Sequence, residues 1–191
     1  MTVTSVLQAF YLFVPLLVAS ALSGLVLKHD LWRRLRRPID HGKMWRGRRL
    51  FGDSKTWRGV VVAVVGCLSG VALQSALAGT RVDSLSLLDY PSAQAVWVGA
   101  AMGAGAMLGE LPNSFTKRQL GIAPGKTTRG PLAVVFYVWD QVDLLTGAWP
   151  AISLCVTPRA EVVVASFLLA LVVHPTISLV GFVLGARKTA R

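Results

Sequence analysis

The chain has 191 residues, 53% of them hydrophobic, and carries 20 Lys+Arg against 9 Asp+Glu, a formal net charge of +11. A positive mean hydropathy coexists with that basicity only because apolar and charged residues are segregated. The segregation excludes a water-soluble globular domain, which would have too little polar chain to cover five apolar segments.

The five segments run 5–27, 59–79, 93–111, 131–153 and 162–184, each close to the ~20 residues of a spanning helix. The prediction is a single all-α membrane domain over 1–191, a polytopic integral membrane protein with five transmembrane helices and cytoplasmic loops at 28–58 and 113–130. Eleven basic residues fall in 28–58, four in 113–130, and Arg187, Lys188 and Arg191 in the tail; Arg81 and Arg159 alone lie in the other loops. Eighteen of the twenty positive charges therefore share one side, which the positive-inside bias assigns to the cytoplasm. The expected localisation is a multi-pass cell-membrane protein with its N-terminus outside and its C-terminus cytoplasmic.

The first segment carries Phe10, Tyr11 and Phe13 and reads as a lipid-facing helix with a kink expected at Pro15. Its only charges follow the apolar run, so it does not read as a cleavable signal peptide. In the basic loop, Trp32 and Trp45 interleave with arginines, which suits an interfacial segment beside anionic headgroups better than a nucleic-acid arm. No nucleic-acid partner is expected. The loop ends in Arg49-Leu50-Phe51-Gly52-Asp53-Ser54-Lys55-Thr56-Trp57-Arg58-Gly59. As a polyphosphate cradle the set is chemically complete: Gly52 would allow close backbone approach and Lys55 and Arg58 would neutralise phosphate oxygens at a helix N-terminus, beside Asp53 and Thr56. A flexible cytoplasmic loop with positive-inside charges accounts for Lys55 and Arg58 but not for Gly52-Asp53.

Cys67 and Cys155 lie in different apolar segments without metal-ligand spacing and read as packing residues. Loop 80–92 reads as an ordinary external connection. The third segment holds Gly99, Gly103, Gly105 and Gly109; small residues let helix backbones approach, so this is the expected central helix. Glu110 at its cytoplasmic mouth is either a third carboxylate for a metal or an ion-pair partner of nearby bases. The stretch Pro124-Gly125-Lys126-Thr127 resembles a P-loop superficially, but Leu120 stands where that motif requires glycine. The pattern K-T-x-R-G occurs at both 55–59 and 126–130, a hint of two basic clamps.

The fourth segment contains Trp139-Asp140-Gln141-Val142-Asp143. At i and i+3 on a helix the two carboxylates share a face. Each costs about 2.5–3.5 kcal/mol at membrane depth unless cations or water meet it. Mg²⁺, typically held by one or two carboxylates plus substrate phosphate oxygens, is a suitable partner. The aspartates lie about 14 Å along the helix if it starts near Pro131, or close to the cytoplasmic face if 131–139 is re-entrant. The last segment holds His174-Pro175; His174 suits either phosphate binding or packing. A rival reading is a small transporter or ion-binding membrane protein whose intramembrane aspartates coordinate a moving ion.

Four of these motifs in order, LFGDSKTWRG, GELPNSFTKRQLGI, DQVDLLTGA and the late His-Pro, resemble the CDP-archaeol synthase family, five-span membrane cytidylyltransferases related to the phosphatidate cytidylyltransferases. The resemblance spans about 49–187. It implies transfer of CMP from CTP to a membrane lipid phosphate, giving a CDP-lipid of archaeol or diacylglycerol type and pyrophosphate, with Mg²⁺, at a cytoplasmic-facing polar cavity. On that basis Asp140, Asp143, Lys117 and Arg118 are the expected catalytic residues. Gly52, Asp53, Lys55, Thr56, Arg58, Ser114 and His174 are expected to bind substrate, and Asp140, Asp143 and Glu110 to hold the metal. Glu110 keeps a carboxylate where the family pattern suggests aspartate. The roles of Lys126 and Arg129, and the oligomeric state, stay open.

Overall fold

In a computed structural model, which describes residues 2–126, 130–157 and 159–183, the chain is a bundle of six helices. These are α1 (Val3–Leu12), α2 (Val14–Lys28), α3 (Trp57–Ala76), α4 (Ala93–Gln119), α5 (Pro131–Ser153) and α6 (Ala160–Val183). Thr127, Thr128 and Arg129 of the second expected clamp, Leu184 and the basic tail lie outside the described residues.

The first apolar segment forms two helices rather than one, meeting at Phe13 with a bend of 42°. Pro15 sits in the first turn of α2, where its missing N–H breaks no helical hydrogen bond; continuing α1 through it would have lost one. The segment is not wholly lipid-facing either. Ala9, Leu12, Ala19 and Val26 are buried, while Leu7, Phe10, Leu25 and Leu27 face outward.

The all-α expectation needs one small amendment. Inside the basic loop, β1 (Met44–Trp45) and β2 (Arg48–Arg49) pair antiparallel, with Met44 opposite Arg49 and Trp45 opposite Arg48. The connecting Arg46 and Gly47 both have positive φ (49° and 76°), the backbone that a two-residue hairpin turn requires.

Glycines set how closely the long helices pack. A Cβ at Gly66 or Gly70 of α3 would stand 2.3 Å from Ala19 Cα or 2.4 Å from Pro15 Cα of α2. On α4, Gly103 lies against Ala63 and Val64 of α3, whereas Gly105 and Gly109 lie against α5 at Gly147. Two glycine rows on different faces thus make α4 the central helix, as its sequence suggests. Its core positions Val98, Met102 and Ala106 pack with Leu145, Ala148 and Ile152 of α5 and Cys67 of α3. Cys67 in the core and Cys155 packed against it are free thiols, in keeping with the packing role expected of them.

Two hydrogen-bonded polar groups sit inside the bundle. Gln74, wholly buried, donates to Tyr11 O at 2.6 Å and accepts from the Tyr90 hydroxyl at 3.0 Å. Trp149 Nε1 donates to Ser166 Oγ at 2.8 Å. Outward positions are apolar instead: Trp97, Leu108, Val134 and Leu154 are all exposed. Such a surface belongs in lipid.

By length and apolarity α3 and α6 qualify as membrane spans, as does the bent α1–α2 pair taken together. With 27 and 23 residues, α4 and α5 measure about 40 and 34 Å, long enough to cross but carrying more polar residues. α5 begins at Pro131, so 131–139 is continuous with the aspartate-bearing stretch and Asp140 lies well along the helix. α4 runs through Pro112 to Gln119, so 113–119, expected as loop, is helical. Pro112 removes one backbone donor, but the packing of α4 on α5 carries the helix past it.

Candidate active site

The basic loop is organised by Asp40, which is buried. Its carboxylate accepts the N–H groups of Gly42 (3.0 Å), Phe51 and Gly52 (both 3.1 Å) and the Arg49 guanidinium at 2.7 Å. Gly52 has φ +87°, a conformation that disfavours side chains, and a Cβ there would crowd Arg118 and Pro124 at 3.4 Å. Asp53 is exposed and pairs with Arg49 at 2.8 Å. Thr56 caps α3, accepting from Gly59 N at 3.3 Å. Arg58 is buried and donates to Asp30 Oδ1 at 2.7 Å and Leu31 O at 3.2 Å. It ties the start of α3 to the end of α2. Of the expected cradle, therefore, Lys55 alone turns its charge towards the acids, and Gly52, Asp53, Thr56 and Arg58 shape the loop around it.

Burial pushes the Asp40 carboxyl up, but hydrogen bonds from Arg49, Phe51, Gly42 and Gly52 outweigh it and hold the group well below the usual carboxylate range. A depressed folded-state pKa stabilises the fold above the unfolded value near 3.8 and is lost as pH falls through the folded value. Asp40→Asn is accordingly expected to loosen 40–52 at neutral pH. Limited proteolysis near Arg46 and Arg48 should cleave the variant faster than wild type, and the difference should narrow in acid.

Two stripes of side chains face each other across α4 and α5. On α4, Glu110, Asn113 and Lys117 follow at i, i+3 and i+7 and so share a face. On α5, Asp140 and Asp143 share the opposing one. The buried Asn113 amide donates through Nδ2 to Asp140 Oδ1 at 2.6 Å and to Asp143 Oδ2 at 2.8 Å. Lys117 pairs with Asp140, and Lys55, reaching from the loop, pairs with Glu110. Lys117 also stands 5.4 Å over the Phe136 ring, which stacks on Trp139 at 6.1 Å. Close approach of the helices brings these stripes together: a Cβ at Gly109 would sit 2.2 Å from Asp143 O.

The acids open on a cavity of about 550 Å³ lined by Lys55, Glu110, Lys117, Lys126, Asp140 and Asp143, with Tyr137, Gln141 and His174. That size lies within the range of small-ligand sites. A second groove of about 240 Å³, between α2, α3 and α4, shares Lys55, Glu110 and His174 with it and adds Thr56 and Arg58. A narrow apolar cavity of about 90 Å³, walled by Phe10, Phe13, Leu16, Leu145 and Leu169, reaches Gln141 and His174. His174 lines all three. Ser114 is buried in α4 away from these linings. Arg118 packs beneath Gly52 with its Nε and Nη1 buried and without a partner among the described residues. Such nitrogens favour an incoming anion, because a buried donor left unmade is costly.

Among the described residues no three His, Cys, Asp or Glu side chains gather into a ready-made cation cage. Glu110, an expected third ligand, is engaged by Lys55. The donor set nevertheless fits Mg²⁺, which relies on one or two carboxylates and on substrate oxygens rather than on an all-protein cage. Asp140 and Asp143 converge on one amide, whose own Oδ1 is buried without a partner. Sequence reasoning missed Asn113 and Asp40. For Asn113 a signal existed, since the Glu110 to Lys117 stripe keeps helical spacing past Pro112; for Asp40, bound mostly by backbone groups, none did.

The chain is similar over most of its length to known proteins. The family model described as CarS-like, CDP-archaeol synthase, matches residues 2–190. A CDP-archaeol synthase of Pyrococcus furiosus is 35% identical over 176 residues, 90% of this chain and 87% of its own length. One from Thermofilum pendens is 36% identical, covering 91% of this chain and 75% of its own. A solved structure described as an intramembrane enzyme for archaeal membrane lipid biosynthesis superposes with a TM-score of 0.63 at 27% identity, covering 90% of this chain and 92% of that one.

Proposed function

From the premise that this chain belongs to the CDP-archaeol synthase family and is a CTP-dependent membrane cytidylyltransferase that forms a CDP-lipid, we propose that it works with Mg²⁺ on an isoprenoid ether lipid phosphate, at the cavity between α4 and α5. The observation that carries the reading is the placement of Asp140 and Asp143 beside Lys55 and Lys117 in one polar cavity that meets an apolar one at His174.

A lipid phosphate oxygen attacks the α-phosphorus of CTP; the bond from that phosphorus to the bridging oxygen breaks, and pyrophosphate leaves with the electron pair. No covalent enzyme intermediate is needed, so the protein contributes position and charge. Asp140 and Asp143 would hold Mg²⁺, which when bound supplies positive charge to the phosphates. Lys55 and Lys117 neutralise the acids in the ligand-free chain. They are the cations within reach of the triphosphate once it enters. Arg118 offers its unpartnered nitrogens to an anion beneath Gly52, and Lys126 stands at the rim. His174, where the cavities meet, would contact the lipid phosphate, with the lipid chains passing between helices into the bilayer.

The same reading takes α4 and α5 as spans alongside α1–α2, α3 and α6, giving five crossings with the N-terminus outside and the C-terminus cytoplasmic. The charge asymmetry of the loops supports it. The cavity then opens to the side from which a soluble nucleotide arrives.

The test is purified protein with CTP and Mg²⁺, given archaetidic-type and phosphatidic acids in parallel, the product identified by mass. We expect a CDP-lipid from the ether lipid, made several-fold faster than from the acyl ester, and no product when Mg²⁺ is chelated. Equal rates would remove the lipid preference. Undiminished turnover in chelator would remove the metal.

A further inference from the structure

We propose that Asn113 is the positioning residue of the two aspartates, holding both carboxylates at one point so that a divalent cation meets a formed pair rather than two independent side chains. The inference rests on the cation reading above.

Asn113 is almost fully buried, and its single Nδ2 bonds both carboxylates, at 2.6 Å to Asp140 and 2.8 Å to Asp143. An NH₂ group has two hydrogens, so both are committed to the aspartates. The Oδ1 of the same amide is buried without a partner, so the residue is held here at the cost of an unmade acceptor bond. Plain packing would be met as well by Leu. The side chain also stands one helical turn from Lys117 and one from Glu110, which places it within the acid and lysine cluster. Asp140 keeps Lys117 as a second partner; for Asp143, Asn113 is the side chain that sets its orientation across the helix interface. Residues that orient metal ligands without touching the metal change its affinity about 10- to 100-fold.

The experiment titrates Mn²⁺, as a paramagnetic stand-in for Mg²⁺, into the purified full-length protein with CTP present. Free Mn²⁺ is read by electron paramagnetic resonance, without turnover. Asn113→Ala is expected to weaken Mn²⁺ binding at least tenfold, while Asn113→Gln, which keeps the amide, retains more of it. In steady-state assays the alanine variant should need correspondingly more Mg²⁺ but recover a kcat within a few-fold of wild type at saturation. Should Asn113→Ala fail to stay monodisperse in detergent, Asn113→Ser is the replacement that keeps a polar group there with one hydrogen to donate, too few to hold both carboxylates. Mn²⁺ binding equal to wild type in a folded Ala or Ser variant overturns the positioning role alone. Absence of Mn²⁺ binding in the wild type overturns both it and the metal reading.

Discussion

Asp143→Asn is expected to reduce CMP transfer by on the order of 10³-fold, comparable to removing a main electrostatic contributor in other phosphoryl or acyl transfer sites. The replacement is isosteric, so packing changes little, but the site loses a negative charge that the buried position was built around. Asp143 is 7% exposed, enclosed by α4, and faces Asn113. Asp140→Asn should fall nearly as far. It has a second consequence, because Lys117 loses its carboxylate partner and is left to bind triphosphate whether or not a cation is present. The measurement is incorporation of labelled CTP into an organic-extractable product, with thermal melts showing that both variants fold. Near wild-type turnover in both would remove the aspartates from the chemistry and, with them, the assignment of this cavity as the active site.

The second large effect concerns stability. At Gly147 a Cβ would lie 1.9 Å from Gly105 O and 2.5 Å from Gly109 N. Both neighbours are backbone atoms of α4, so no side chain can swing aside. Gly147→Ala must separate α4 from α5, and we expect a loss at or above the upper end of the about 1–3 kcal/mol typical of overpacking. Such a separation matters functionally, because the Asn113 amide spans the same interface in bonds of 2.6 and 2.8 Å. A fall in melting temperature in detergent together with lost activity is the expected pair of results. Gly24, inside α2, provides the control: nothing lies within 4 Å of a Cβ there, so Gly24→Ala should leave activity unchanged and the melting temperature unchanged or slightly raised. If Gly147→Ala also left both unchanged, the glycine contact would not be what brings the acids together.

Much of this site was legible in one dimension. Asp140 and Asp143 announce themselves as acids three apart in an apolar segment, and Lys55, Glu110, Lys117 and His174, singled out from spacing or resemblance, do line one connected set of cavities. Arg58 was read from the sequence as a phosphate-neutralising base ahead of a span. Its pairing with Asp30 depends on how the end of α2 returns to the start of α3, which no local pattern encodes. Pro112 misled for a related reason. An interior proline weakens a helix locally, yet the contact between Gly109 and α5 is a tertiary term that outweighs it.

The amino-acid sequence alone determined that this is a helical membrane protein with its positive charge concentrated in 28–58, 113–130 and the tail, and it supplied the chemical inventory of an anion-handling site, because hydropathy and charge are properties of residues regardless of their neighbours. Only the tertiary structure decided which of those charges meet. Lys55 reaches Glu110 across 55 positions and Asn113 reaches both aspartates across 27 and 30. The Asn113 pairing exists because Gly105, Gly109 and Gly147 let the backbones of α4 and α5 touch, and that contact is fixed by the packing of whole helices rather than by any single segment.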